Sequence, residues 1–114
     1  MAYSRLLQDF RQWMLSREHT NNVINSYASY LNALFKDLYR YKYFPLLDTW
    51  QVLDELYDNL DKYGRTEFVI MLRLIEYAIE KAYKDDFCRI DRKYLNDRRS
   101  AFRKFEIFIL EHVV

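Results

Sequence analysis

Glycine and proline are almost missing: Gly64 and Pro45 are the only ones in 114 residues. A sandwich or barrel needs many tight turns, and tight turns draw on those two residue types, so the composition argues against an all-β fold. Cysteine is as scarce. Cys88 stands alone, which forbids a disulfide within the chain and fits a reducing compartment with a buried or inert thiol. Only two histidines occur, His19 and His112, and with Cys88 they do not stand at the spacing of metal ligands or of a nucleophilic triad. One glycine cannot build a phosphate-cradling loop. No stretch approaches the roughly 20 apolar residues of a membrane span. The N-terminal MAYSRLLQDFRQW lacks the apolar run of a secretory signal. These absences predict a cytoplasmic protein with no catalytic residues, no metal, no cofactor, no small-molecule substrate and no membrane contact.

What is present points to a helical domain. Hydrophobic residues make up 51% and charged residues 31%, a composition that folds rather than one that stays disordered. Eleven Tyr, eight Phe and two Trp supply large rings for an interior. Apolar residues then recur at three- and four-residue spacing in five segments. The first runs from about Ser4 to Glu18, with Leu6, Leu7, Phe10, Trp13 and Met14 on one face. The second, about Asn21 to Tyr39, carries Val23, Tyr27, Leu31, Leu34 and Leu38 behind the cap Thr20. The third, about Thr49 to Lys62, follows Asp48-Thr49-Trp50-Gln51, which reads as a capping box. Gly64 sits where a helix needs a left-handed C-terminal residue. The fourth, about Thr66 to Lys84, repeats Phe68, Leu72, Ile75, Ile79 and Ala82, widened by Val69, Met71 and Ala78, and is expected to be the most buried. The fifth runs from Arg92 or Leu95 to His112, with Phe102, Phe105, Phe108 and Ile109 inward. The expected fold is a single all-α domain over residues 1–114, a bundle of about five helices.

Net charge is only +1, which gives no support by itself to a nucleic-acid binder. The distribution is less even. Residues 48–61 hold Asp48, Asp54, Glu55, Asp58 and Asp61 with no Lys or Arg. Carboxylates spaced like Asp54 with Asp58, or Asp58 with Asp61, are more often a solvated helix face than an acid/base pair. Residues 89–104 hold Arg89, Arg92, Lys93, Arg98, Arg99, Arg103 and Lys104 against Asp91 and Asp97. Arg99 and Arg103 are four apart and share a helix face, and such a cluster can follow a phosphate backbone. It can equally meet the acidic third helix, within the molecule or in a neighbour. The run Tyr39, Tyr41, Tyr43, Phe44 interleaved with Arg40 and Lys42 can stack bases, though such a run more often folds over the core.

The stretch Phe10-Arg11-Gln12-Trp13-Met14, then Thr20-Asn21-Asn22-Val23-Ile24-Asn25-Ser26-Tyr27, then Leu31 and Leu34-Phe35, resembles the N-terminal core-binding domain of tyrosine recombinases (phage integrases). Asn96 to Phe105 is similar to that domain's closing helix. The likeness covers the first two helices and the last. It implies a SAM-like helical bundle that clamps double-stranded DNA, chiefly through phosphates, in a DNA-recombination or mobile-element setting. The family's catalytic Arg, His-x-x-Arg and Tyr have no counterpart in these residues, so the implied module is non-catalytic. The residues expected to contact DNA are Arg92, Lys93, Arg98, Arg99, Arg103 and Lys104, with Arg40 and Lys42. The alternative expectation is a protein–protein interaction module, joined to another copy or to a partner through the acidic third and basic fifth helices.

Overall fold

In a computed structural model, which describes residues 4–85 and 90–113, five helices follow one another: α1 Arg5–Ser16, α2 Asn21–Arg40, α3 Thr49–Asp58, α4 Leu60–Lys84 and α5 Arg92–His112. No strand occurs among the described residues, and the expected all-α bundle is what forms. The stretch 86–89, which includes Cys88 and Arg89, lies outside the described residues, as do residues 1–3 and 114.

Four of the five helices start where a short polar side chain satisfies an orphan amide; α4 has no such cap. The Ser4 hydroxyl accepts from the Leu7 N–H, Thr20 from Val23, and the Asp48 carboxylate from Gln51 at 3.1 Å. Asp91 does the same for Lys93 at 2.8 Å, a cap that the sequence pattern does not single out. The third helix stops at Asp58 rather than Lys62, and α4 opens at Leu60 and breaks at Gly64. Gly64 has a positive φ of 81°, as its position suggests, but its ψ of 163° is not that of a left-handed cap. It occupies a mirror-image extended region that is nearly closed to other residues.

Two helix ends dispense with glycine. At the end of α1 the His19 N–H donates to the Met14 carbonyl and the Glu18 N–H to that of Leu15. At the end of α2 the Tyr43 N–H donates to the Leu38 carbonyl and the Lys42 N–H to that of Tyr39. Each pair is a Schellman motif, and its left-handed residue is Glu18 (φ 66°) or Lys42 (φ 65°).

The core is a chain of rings. Phe10 of α1 meets Phe105 of α5 edge-on at 5.4 Å between ring centres; Trp50 of α3 meets Phe105 at 5.6 Å and Phe35 of α2 at 4.9 Å. Edge-to-face contacts of this kind add to what burial alone contributes. Leu72, Ile75, Ala78, Ile79 and Ala82 of α4 close the core on one side. Here the structure corrects the expectation that α4 is the most buried helix. Its outer side carries Ile70, Leu74 and Tyr77 in solvent.

Polar ties hold the helices in register. The Asp54 carboxylate accepts from the Ser4 hydroxyl at 3.1 Å and from the Leu6 N–H at 2.9 Å, so an acid of α3 caps α1. Asp58 pairs with Arg5 at 3.1 Å. The Trp50 indole donates to Asn32 at 2.7 Å, and the Trp13 indole to Glu111 at 3.1 Å. The Tyr57 hydroxyl donates to Asp9 at 2.6 Å; burial, then that bond, push its pKa up to about 12. Among the described residues no helix is long and apolar enough to cross a membrane.

Candidate nucleic-acid interface

The fifth helix does not present its cations as one ridge. Arg98 turns toward α2, where its guanidinium lies 3.7 Å from Asp37, and only 16% of its side chain is exposed. Arg99 turns toward α4 and makes a two-pronged bond to Glu80, at 2.8 and 3.0 Å, with 23% exposed. Lys104 lies over the Trp13 ring of α1 at 5.8 Å. Three cations of α5 are thus sent to three different helices. Arg103 is exposed. The acids of α3 are similarly engaged, Asp54 and Asp58 with α1 as above.

A different set comes together at one end of the bundle. The Schellman turn after α2 reverses the chain, so that the Tyr43 and Phe44 amides both point back to the Leu38 carbonyl and Phe44 sinks into the core. The Tyr43 hydroxyl donates to the Asp85 carboxylate at the end of α4. Arg92, in the first turn of α5, donates to the Tyr83 carbonyl and, at 3.2 Å, to that of Asp85. Those carbonyls belong to the last turn of α4, which has no further amides to satisfy them. The link between α2 and α3, the end of α4 and the start of α5 therefore meet.

Among the described residues, the exposed cations on these three pieces include Arg40, Lys42, Lys84, Arg92 and Lys93. Among the described residues the acids beside them include Asp85, which accepts from Tyr43, and Asp91, which caps α5. The C-terminal ends of α2 and α4 both lie here, and their partial negative charge favours cations in the last turn. Beside the cations, Tyr39, Arg40, Lys42, Tyr43, Phe44 and Pro45 line an open hollow of about 450 Å³. Tyr39 keeps 40% of its surface exposed, and the Arg40 guanidinium sits 5.5 Å from the Tyr41 ring. Phe44 is buried, and Tyr41 and Tyr43 pack partly against the core. The run is thus mainly a loop over the core with one exposed ring.

No family model, no curated protein and no solved structure matches this chain. The recombinase resemblance rests on the residues of α1, α2 and α5 themselves. Of the eight cations expected to contact DNA, the structure gathers four, Arg40, Lys42, Arg92 and Lys93; Arg98, Arg99 and Lys104 turn to three different helices, and Arg103 stays exposed. Lys84 joins the gathered set and was missed by sequence reasoning. Its only local signal is a lysine in the last turn of a helix, where cations commonly collect. Among the described residues no three of His, Cys, Asp and Glu converge in a way that would hold a metal ion.

Proposed function

We propose that this chain is a non-catalytic helical module that binds the phosphate backbone of double-stranded DNA through this end of the bundle. The reading follows the core-binding resemblance, with its SAM-like arrangement and its cytoplasmic, DNA-recombination setting. The observation that carries it is the convergence of Arg40, Lys42, Lys84, Arg92 and Lys93 from three separate elements onto one solvent-exposed end. Phosphates need exposed cations whose charge is not already cancelled, and this cluster has them where Arg98 and Arg99 do not. Tyr39 adds a ring beside the cations for a sugar or an unpaired base.

Duplex binding followed by fluorescence anisotropy across a salt series tests the reading. Affinity should fall steeply with salt, and Lys42→Gln with Lys93→Gln should lower the slope of log K against log salt by about one for each lysine. Arg98→Gln should lower thermal stability and leave that slope in place. Absence of duplex binding at low salt would overturn the proposal. The alternative of charge pairing between the third and fifth helices has less support, because Asp54, Asp58, Arg98 and Arg99 already serve contacts within the fold.

A further inference from the structure

The outer side of α4 carries a stripe that the core does not use. Ile70 and Leu74 are each 51% exposed and Tyr77 is 71% exposed. They are spaced by four and three residues, so they line up along the helix. On the opposite side Phe68, Leu72, Ile75 and Ile79 are buried. The stripe has charged ends. Glu67 lies one turn before Ile70 and Lys81 one turn after Tyr77; both are exposed, and neither joins an ion pair among the described residues. The series Glu67, Ile70, Leu74, Tyr77, Lys81 is spaced 3, 4, 3, 4, which is the seam of a helix that packs against another helix. On the neighbouring helix α5, Ile107 is 45% exposed and Leu110 67% exposed.

The charges choose the occupant. A parallel copy would set Glu67 against Glu67 and Lys81 against Lys81. An antiparallel copy does the reverse: with the two-fold axis at Leu74, Ile70 lies beside Tyr77 of the other molecule, and Glu67 faces its Lys81 at both ends of the seam. This is the self-complementary pattern of a two-fold interface. We infer that a second copy of this chain docks on this face, α4 antiparallel to α4, to form a symmetric dimer. The seam runs over fifteen residues, Glu67 to Lys81, roughly 21 Å of helix, so the interface is small and the dimer is a weak, reversible one. This inference is independent of DNA, which the test omits.

Sedimentation velocity across a concentration series at low salt reads the result. The wild-type chain should pass from monomer to dimer. Leu74→Glu should stay monomeric while its thermal melt, measured at a concentration where both are monomers, is unchanged, since Leu74 is outside the core. Glu67→Lys and Lys81→Glu should each weaken the dimer about tenfold, because each turns two attractions into two repulsions. The two together should restore it. A wild-type chain that is monomeric up to several hundred micromolar, a dimer indifferent to Leu74→Glu, or a double swap that fails to restore association would each overturn the inference. So would association that appears only with lipid vesicles or with another protein.

Discussion

At the scale of single residues, the lack of glycine leaves a mark on the backbone. Glu18 and Lys42 hold left-handed conformations that cost a side-chain-bearing residue about 1 kcal/mol or more relative to glycine. Glu18 is the cleaner test, since it is exposed and outside the proposed interface. Glu18→Gly should stabilise the fold by about 1 kcal/mol in chemical denaturation, and a loss of stability would show that the Schellman turn at α1 is absent. A second residue sets a pH dependence. Burial, then the hydrogen bond and negative charge of Glu76, push the Glu106 carboxyl up to about 7 from its ordinary 4.5. The folded chain keeps this proton over a range in which the unfolded chain has lost it. The resulting stabilisation is complete below about 4.5 and is lost as pH rises through about 7. Glu106→Gln should therefore flatten the decline between those values. At pH 8 it should be the more stable protein by about 1 kcal/mol, a figure reduced for partial exposure to solvent. Thermal melts from pH 4 to 8 check this; parallel declines in the two proteins would contradict it.

At the scale of elements, the acids of α3 act on another helix. Asp54 accepts from the Leu6 amide and the Ser4 hydroxyl, so its charge sits at the N-terminus of α1, where the helix dipole favours it. Asp54→Ala should cost about 1–2 kcal/mol and lower the melting temperature by several degrees, with Asp54→Asn intermediate. Glu55→Ala, one residue along and exposed, should stay within about 0.5 kcal/mol of wild type. Equal effects at the two positions would mean that helix propensity, and not the cap, is being measured. The fourth helix shows the other side of element-level packing. Its apolar residues exceed what one buried stripe can absorb, and the surplus, Ile70, Leu74 and Tyr77, has a spacing of its own.

At the scale of the whole molecule, the two proposals fit one geometry. An antiparallel α4 pair centred on Leu74 separates the two copies of Lys84 by about 30 Å along the helix axis, at a rise of about 1.5 Å per residue. One turn of duplex is about 34 Å, so both basic ends can reach the same face of one DNA molecule. A duplex of about 24 base pairs should then bind two copies and gain at least about tenfold in affinity over one of about 10 base pairs. Leu74→Glu should remove that gain and keep the salt dependence. Gel-shift titrations on the two lengths decide it; equal affinity for both would separate DNA binding from dimer formation.

The sequence by itself determined the helices, most of their caps and the inward rings. Thr20 and Asp48 cap helices where the pattern places them, and Phe10, Leu31, Leu72 and Phe105 are buried. Helical periodicity and cap bonds act within about four residues, so they are written locally in the chain. The end of α3 at Asp58 and the left-handed Glu18 and Lys42 had no such signature, because no glycine marks them. Only the tertiary structure decided which charges remain free. Arg98 and Arg99 are adjacent in the chain, yet one finds Asp37 on α2 and the other Glu80 on α4, whereas Arg40 and Lys42 come to share an end with Arg92 and Lys93. Coulomb attraction has no sequence register: a cation is neutralised by whichever acid the packed helices bring within a few ångströms, and that packing is set by the core.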